Sequence, residues 1–328
     1  DGHITAKLNG YWYKYEVSGN KRRFWMSATK IIGFSWMPGG ELSFDHAAIN
    51  RTTGALASVI NNSVTYRGGD NNAAWDGAAN SLLGMPVTNL SLTQFQAAAQ
   101  LLGANAHAYY VGLYANLYWR IVVEFATFDS QKAVNYSLDA NFYKQGGLGN
   151  GVTTVNGTTW NTFNGYFPLC KVGGGTTQGH NFTGEVNYTI TDFAGTGINE
   201  IVKVPIYRGL RNPFGHLWVG LIGALINHQT PEEGGLSQLY TTNNPALFST
   251  SSFANYVLNA LLPRVEGFIS ALNVVNGIPS PNSVAGGGSN KFQCDYFYTS
   301  VDDTTPGYGL RIMMVGGAAA SFSFAGLG

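Results

Sequence analysis

Charge is what this sequence lacks most. Only 11% of its residues are Asp, Glu, Lys or Arg, against roughly 25% in ordinary soluble domains. Its 18 basic and 18 acidic residues cancel. A chain that tracks nucleic acid or an anionic membrane carries a basic excess, so the balance argues against both partners. No run of about 18 apolar residues occurs, which argues against a membrane-spanning helix and membrane insertion. Cysteine is nearly absent, with Cys170 and Cys294 far apart. Two such residues cannot make a zinc site. They are expected as buried free thiols, with one long-range disulfide as the alternative. The six histidines show no His-x-x-x-His spacing. No Gly-x-Ser-x-Gly nucleophile motif is present. The glycine runs are not phosphate loops, because no Gly-Lys-Ser/Thr follows them.

Glycine, Asn, Ser and Thr stand where charge would be, beside a 45% hydrophobic and 13% aromatic content. The apolar share suffices for a sizeable core, and one α+β domain over residues 1–328 is expected. Hydroxyls and amides hydrogen-bond without counter-ions, which suits an extracellular or particle-bound surface. The opening DGHITAKLNGYWYKYEV is strand-like and has no initiating Met. It predicts a piece of a longer protein.

Two aromatic runs flank Ser18-Gly19-Asn20-Lys21 and predict a β-hairpin. Lys21, Arg22 and Arg23 sit at its tip, as a solvated turn or as a contact for phosphate or an acidic sugar. Residues 39–90 read as loops with short strands. Ser91 and Gln94 form a capping-box pattern before a helix that Gly103 ends. A second, buried helix follows, with Leu113, Leu117, Ile121 and Phe125 on one face. Glu124 within it reads as a partnered core carboxylate. Residues 140–200 show no helical period.

The segment Ile206 to Gly220, IYRGLRNPFGHLWVG, mixes Arg, Asn-Pro, Phe-Gly-His and Trp. Pro213 fixes φ and Gly215 permits a tight bend. Trp218 reads as a buried face, Arg208 as a partner for loop carbonyls and His216 as a core imidazole rather than a base. Asp302 and Asp303 read as a solvated turn, because neighbours in an extended segment point to opposite sides. A metal triad could form only from distant residues such as His180, Asp192 and His216.

In order, these pieces resemble the C-type-lectin-like domain of the formylglycine-generating-enzyme (sulfatase-modifying-factor) type. The closer likeness is to versions at the ends of phage tail fibres and related receptor-binding proteins. It is carried by Tyr207-Arg208-Gly209, Asn212 to Trp218, Cys294-Asp295-Tyr296 and Gly309-x-Arg311…Gly316-Gly317…Ala325-Gly326. The resemblance implies an α+β fold with two early helices, short strands and long irregular loops. The enzymes of that type use a C-terminal cysteine pair to bind copper, and no such pair is present. Calcium-dependent lectins use Glu-Pro-Asn or Gln-Pro-Asp, and neither occurs. No catalysis, metal or cofactor is therefore expected.

The expected role is recognition of a host cell-surface glycan or protein at a virion surface. A homo-oligomer, a trimer as in tail fibres, and contacts with other virion subunits go with it. The alternatives are a structural spike or decoration subunit and a bacterial cell-surface adhesin. The resemblance places the binding face at Tyr308, Arg311, Ser321, Phe322, Ser323 and Phe324. Trp160, in the Gly- and Thr-rich middle, is added from the sequence itself, because aromatic rings among small polar residues suit adaptable binding surfaces.

Overall fold

The computed structural model describes residues 2–60, 65–68, 73–134, 146–173, 182–195, 197–285, 288, 291 and 293–327. It overturns the expected α+β class. Strands take 34% of the described residues and helices 17%, and the strands form several small antiparallel sheets. The cause lies in the apolar runs of the second half. LWVGLIGALIN is β-branched and broken by Gly220 and Gly223, and each helical Gly costs about 1 kcal/mol. The run becomes the strand Val219–His228 instead.

The hairpin forms as predicted. Tyr11–Ser18 pairs with Lys21–Ser27, and Gly19 takes φ 57° at the turn. Ser35–Met37 adds a third strand on the other side. One face of this sheet, with Tyr11, Tyr13 and Phe24, packs on helix α2 (Val111–Phe125). Trp119 of α2 is fully buried, stacks on Phe24 at 4.0 Å, and donates its indole N–H to the Gly277 carbonyl at 2.6 Å. Burial of one such side chain stabilises the fold by roughly 1.5–3 kcal/mol. Helix α1 (Leu92–Gln100) begins at the predicted capping box, with Ser91 and Gln94 bonding each other's backbone amides.

A third helix, α3 (Gly157–Asn164), stands where no helix was expected. Asn156 caps it by accepting from the amides of Thr158 and Thr159, and Gly165 ends it at φ 65°. Its apolar residues Trp160 and Phe163 join a second core with Leu148, Ile190, Val202, Val204 and Ile206. Both cysteines are free and buried. Burial pushes the Cys170 thiol up to about 12, which leaves it uncharged.

The largest sheet has the order Val257–Leu261, Ser237–Thr241, Val219–His228, Gly309–Val315. Between Leu221 and Leu225 the pairing with Gly309–Val315 slips, and Gly223 takes φ 82° in the bulge. The bulge frees the Ile222 amide to bond the Tyr109 carbonyl at 2.9 Å, so the sheet grips the start of α2. Beside it lies a sheet of Ile278–Val284, Gly267–Val275 and Tyr296–Phe297.

Candidate functional site

The segment 206–218 is a corner first. Three of its non-glycine residues, Arg208, Asn212 and His216, hold positive φ, which L-residues adopt only where surroundings impose it. Gly215 lies against the carbonyls of Gly146 and Gly147, where a Cβ would approach to 2.4 Å. His216 is fully buried, and its Nε2 accepts from the amides of Leu169 and Cys170 at 3.0 and 3.3 Å. Burial, then the neighbouring His46 and Arg211, keeps this imidazole neutral far below its ordinary range. It is therefore a structural acceptor. Arg211 forms an ion pair with Asp45, both side chains 1% exposed. Asp45 also accepts from the amides of His46 and Gly173 at 2.8 and 2.9 Å.

Two expectations for this segment are corrected here. Arg208 does not serve loop carbonyls. Its guanidinium forks onto Glu124 at 2.7 and 2.9 Å, and Tyr207 donates to the same carboxylate at 2.5 Å. Glu124 is thus partnered, as expected, but it lies at the surface rather than in the core. Trp218 is not buried either. The turn at Leu217 brings it out to 37% exposure.

Trp218 opens onto a cleft of about 620 Å³. The cleft runs between the four-stranded sheet and the Tyr296–Phe297 strand. Its floor is apolar, with Ile226, Leu239, Leu262 and Met313. One wall is a run of rings. Trp218 meets Tyr298 edge-on at 5.6 Å, Tyr298 meets Tyr296 at 4.7 Å, and Tyr296 meets Phe324 at 4.6 Å. Alternation along the chain explains the run: Tyr296 and Tyr298 share one face, while Phe297 packs against the main core and borders the cleft from that side. Tyr298 and Phe324 keep 40% and 39% of their surface exposed.

The rim is polar and held in place. Asp302 accepts from the Glu266 amide at 2.8 Å, and Glu266 accepts from the Thr299 amide at 3.0 Å. Burial, then Tyr296 and Glu266, pushes the Tyr298 phenol up to about 12. His228 is buried at the cleft wall, with Nδ1 2.8 Å from the Ser237 hydroxyl. Burial, then Arg264 and Arg311, lowers this imidazole to about 4. The pair does not make a nucleophile, since Ser237 is 1% exposed and also receives a bond from Arg264. Among the described residues no three His, Cys, Asp or Glu side chains lie together as metal ligands. Of the triad weighed above, His180 lies outside the described residues, and His216 is spent on two amides.

The candidate binding residues fall in three places. Arg311 lines the cleft, and Phe324 ends its aromatic wall. Tyr308 lies nearby under the guanidinium of Arg264, 5.8 Å from the ring centre. Ser321, Phe322 and Ser323 form the turn that carries Phe324. Ser321 accepts from the Ala318 amide, Phe322 holds φ 43° and Ser323 is buried. Trp160 lies apart, 7% exposed in the second core, its N–H donating to Phe167. A ring so covered has no face to offer a ligand. Sequence reasoning missed Tyr296, Tyr298 and Glu266, although the Tyr-Phe-Tyr alternation carried the signal. Asp302 and Asp303 were read as a plain turn, yet both line the cleft.

Neither a protein-family model, nor a curated protein, nor a solved structure matches this chain.

Proposed function

We propose that this chain is a non-catalytic recognition protein that binds a host cell-surface glycan in the cleft beside Trp218. The observation that carries the reading is the wall of half-exposed rings, Trp218, Tyr298, Tyr296 and Phe324, facing a rim of Glu266, Asp302, Asp303 and Arg311. A sugar ring presents an apolar C–H face and a belt of hydroxyls. Aromatic planes take the first, and fixed carboxylates and guanidinium take the second. Rigid rings lose little conformational entropy on binding. The cleft's rings are already locked by mutual contact, so the site is preformed.

The terminal motifs, with their resemblance to tail-fibre and receptor-binding domains, support a virion surface as the setting. A structural spike or decoration subunit is the second reading, favoured by the exposed apolar residues away from the cleft, such as Ile32, Trp36 and Val257. Binding of the labelled chain to intact cells of candidate host strains, before and after removal of surface glycans, separates the two. Saturable binding that is lost on stripping and lost in Trp218→Ala supports recognition. No binding to any strain by the folded chain moves the assignment to the structural subunit.

A further inference from the structure

The neutral total hides a segregation of charge. The three-stranded sheet over residues 11–37 carries five cations, Lys14, Lys21, Arg22, Arg23 and Lys30, against one carboxylate, Glu16. Lys14 already pairs with Glu16 at 2.6 Å, which leaves the remaining cations in excess. The outer face of this sheet is also apolar. Trp12, Lys14 and Glu16 alternate along its central strand, with Trp36 and Ser27 opposite Trp12 and Trp25 opposite Lys14. Trp25 and Trp36 are 49% and 51% exposed, and Ile32, in the turn that leads into Ser35–Met37, is fully exposed.

The reverse holds at one end of the four-stranded sheet. Residues 229–236, 261–266 and 299–304 carry five carboxylates, Glu232, Glu233, Glu266, Asp302 and Asp303, against one cation, Arg264. These segments meet in space. Gln238 pairs with Leu261, Arg264 donates to the Gln229 carbonyl, and Asp302 accepts from Glu266. Arg264 is turned inward onto Ser237 and Tyr308, so it offsets little of the outward charge. Leu236, Leu261 and Val265 stand exposed among the acids at 39%, 49% and 53%.

We propose that the basic, indole-bearing face of one copy docks on the acidic, aliphatic end of the four-stranded sheet of a second copy, so that association competes with a cleft ligand for the rim carboxylates Glu266, Asp302 and Asp303. Each face offers what the other lacks, in charge and in apolar surface to cover. A twofold contact of either face with itself would set like charges together. The contact therefore sets basic face on acidic end, either twice across a twofold axis or head-to-tail in a ring or chain. The cations also steer the encounter, because a basic patch meets an acidic one at long range only when salt is low.

Light scattering on the eluting chain, across a concentration series at low salt and at about 0.5 M salt, tests this. At the higher salt the screening length is on the order of 4 Å. The expected result is a self-associated species that shifts toward monomer at high salt. Lys21→Glu with Arg23→Glu weakens association at least about tenfold, and so does Glu232→Lys with Glu233→Lys. All four positions are exposed, and the backbone bond lost, from the Thr230 amide to Glu233, belongs to a single short turn, so folding, followed by circular dichroism, stays intact. Mixing the two double variants restores association, since each reversed face then meets its reversed partner. A wild-type chain that stays monomeric throughout overturns the proposal. So does an oligomer that neither pair of substitutions disturbs, or a mixture that stays apart. A monomer that instead binds an anionic polysaccharide or anionic vesicles through Lys21 and Arg23 overturns it too, by giving the basic face a different occupant.

Discussion

Two residues of one short segment end in opposite surroundings. His216 lies at the bottom of a sealed polar corner, and Trp218, two positions on, stands in an open cleft. The corner and the cleft draw on the same residue types: Arg, Asp, His and aromatic rings. They differ in where each polar group finds its partner. In the corner, Asp45 and His216 each accept from two backbone amides, and Asp45 also holds Arg211. In the cleft, Asp302 and Glu266 use one oxygen each on a neighbouring amide, and Trp218, Tyr298 and Phe324 keep more than a third of their surface free. A constellation that looks catalytic in sequence can thus be scaffold, while its neighbour supplies the site.

The largest effect that would break this comparison belongs to the corner. Asp45→Ala leaves Arg211 charged, buried and unpaired, and removal of one partner of such a pair costs about 3–5 kcal/mol. Chemical denaturation of the variant should show that loss. A loss below about 1 kcal/mol would mean that the corner is wet and that its contrast with the cleft is false.

Acid should come next. An unfolded histidine takes its proton near pH 6.5, while folded His228 resists until about 4 and burial holds folded His216 well below its ordinary range. Below pH 6.5 the unfolded chain binds more protons than the folded one, so stability falls as pH falls. It is fully present above about 6.5. The His228 share is lost between there and about 4, and the His216 share also falls as the pH drops below 6.5. Melting temperature measured from pH 7.5 to 4 should decline, and His228→Gln should flatten part of that decline. A flat profile in the parent would place both rings in water.

The contrast between the two arginines predicts a smaller change. Arg208 pairs with Glu124 at the surface, with side chains 49% and 32% exposed. Solvent screens such a pair, and Arg208→Ala should cost about 0.2–1 kcal/mol. The same denaturation experiment reads it beside Asp45→Ala, whose partner Arg211 lies only three residues along the chain from Arg208 but is buried.

Local structure was legible wherever one local rule decided it. Ser18-Gly19-Asn20-Lys21 gave the hairpin, and Ser91 with Gln94 gave the start of α1. The fold class was not legible, because the Gly-broken apolar runs of the second half suit buried strands and helices alike. Helix α3 was hidden for the opposite reason, since Gly, Thr and Asn have low helix propensity and only its Asn156 cap and buried Trp160 and Phe163 hold it. The site was half legible. Arg311 and Phe324 came from the terminal motifs; Arg311 lines the cleft, and Phe324 packs on Tyr296, which does. Trp160 and Trp218 exchanged surroundings, because a single Trp carries no period that tells which side of it is covered.

That exchange supplies the sharpest test, and its stability effect on the cleft side is the smallest. Trp160 is 7% exposed, and Trp160→Ala should cost about 3–5 kcal/mol by opening a cavity in the second core. Trp218 at 37% exposure touches Tyr298 only by an edge, worth about 0.5–1.5 kcal/mol beyond area. Trp218→Ala should therefore melt within a few degrees of the parent. The proposed ligand reads the two positions in reverse. Glycan affinity should drop at least about tenfold in Trp218→Ala and stay near the parent's in whatever fraction of Trp160→Ala is folded, since only one of these rings has a free face to give. Equal losses of affinity in both folded variants would show that the cleft senses the second core and is no separate, preformed site.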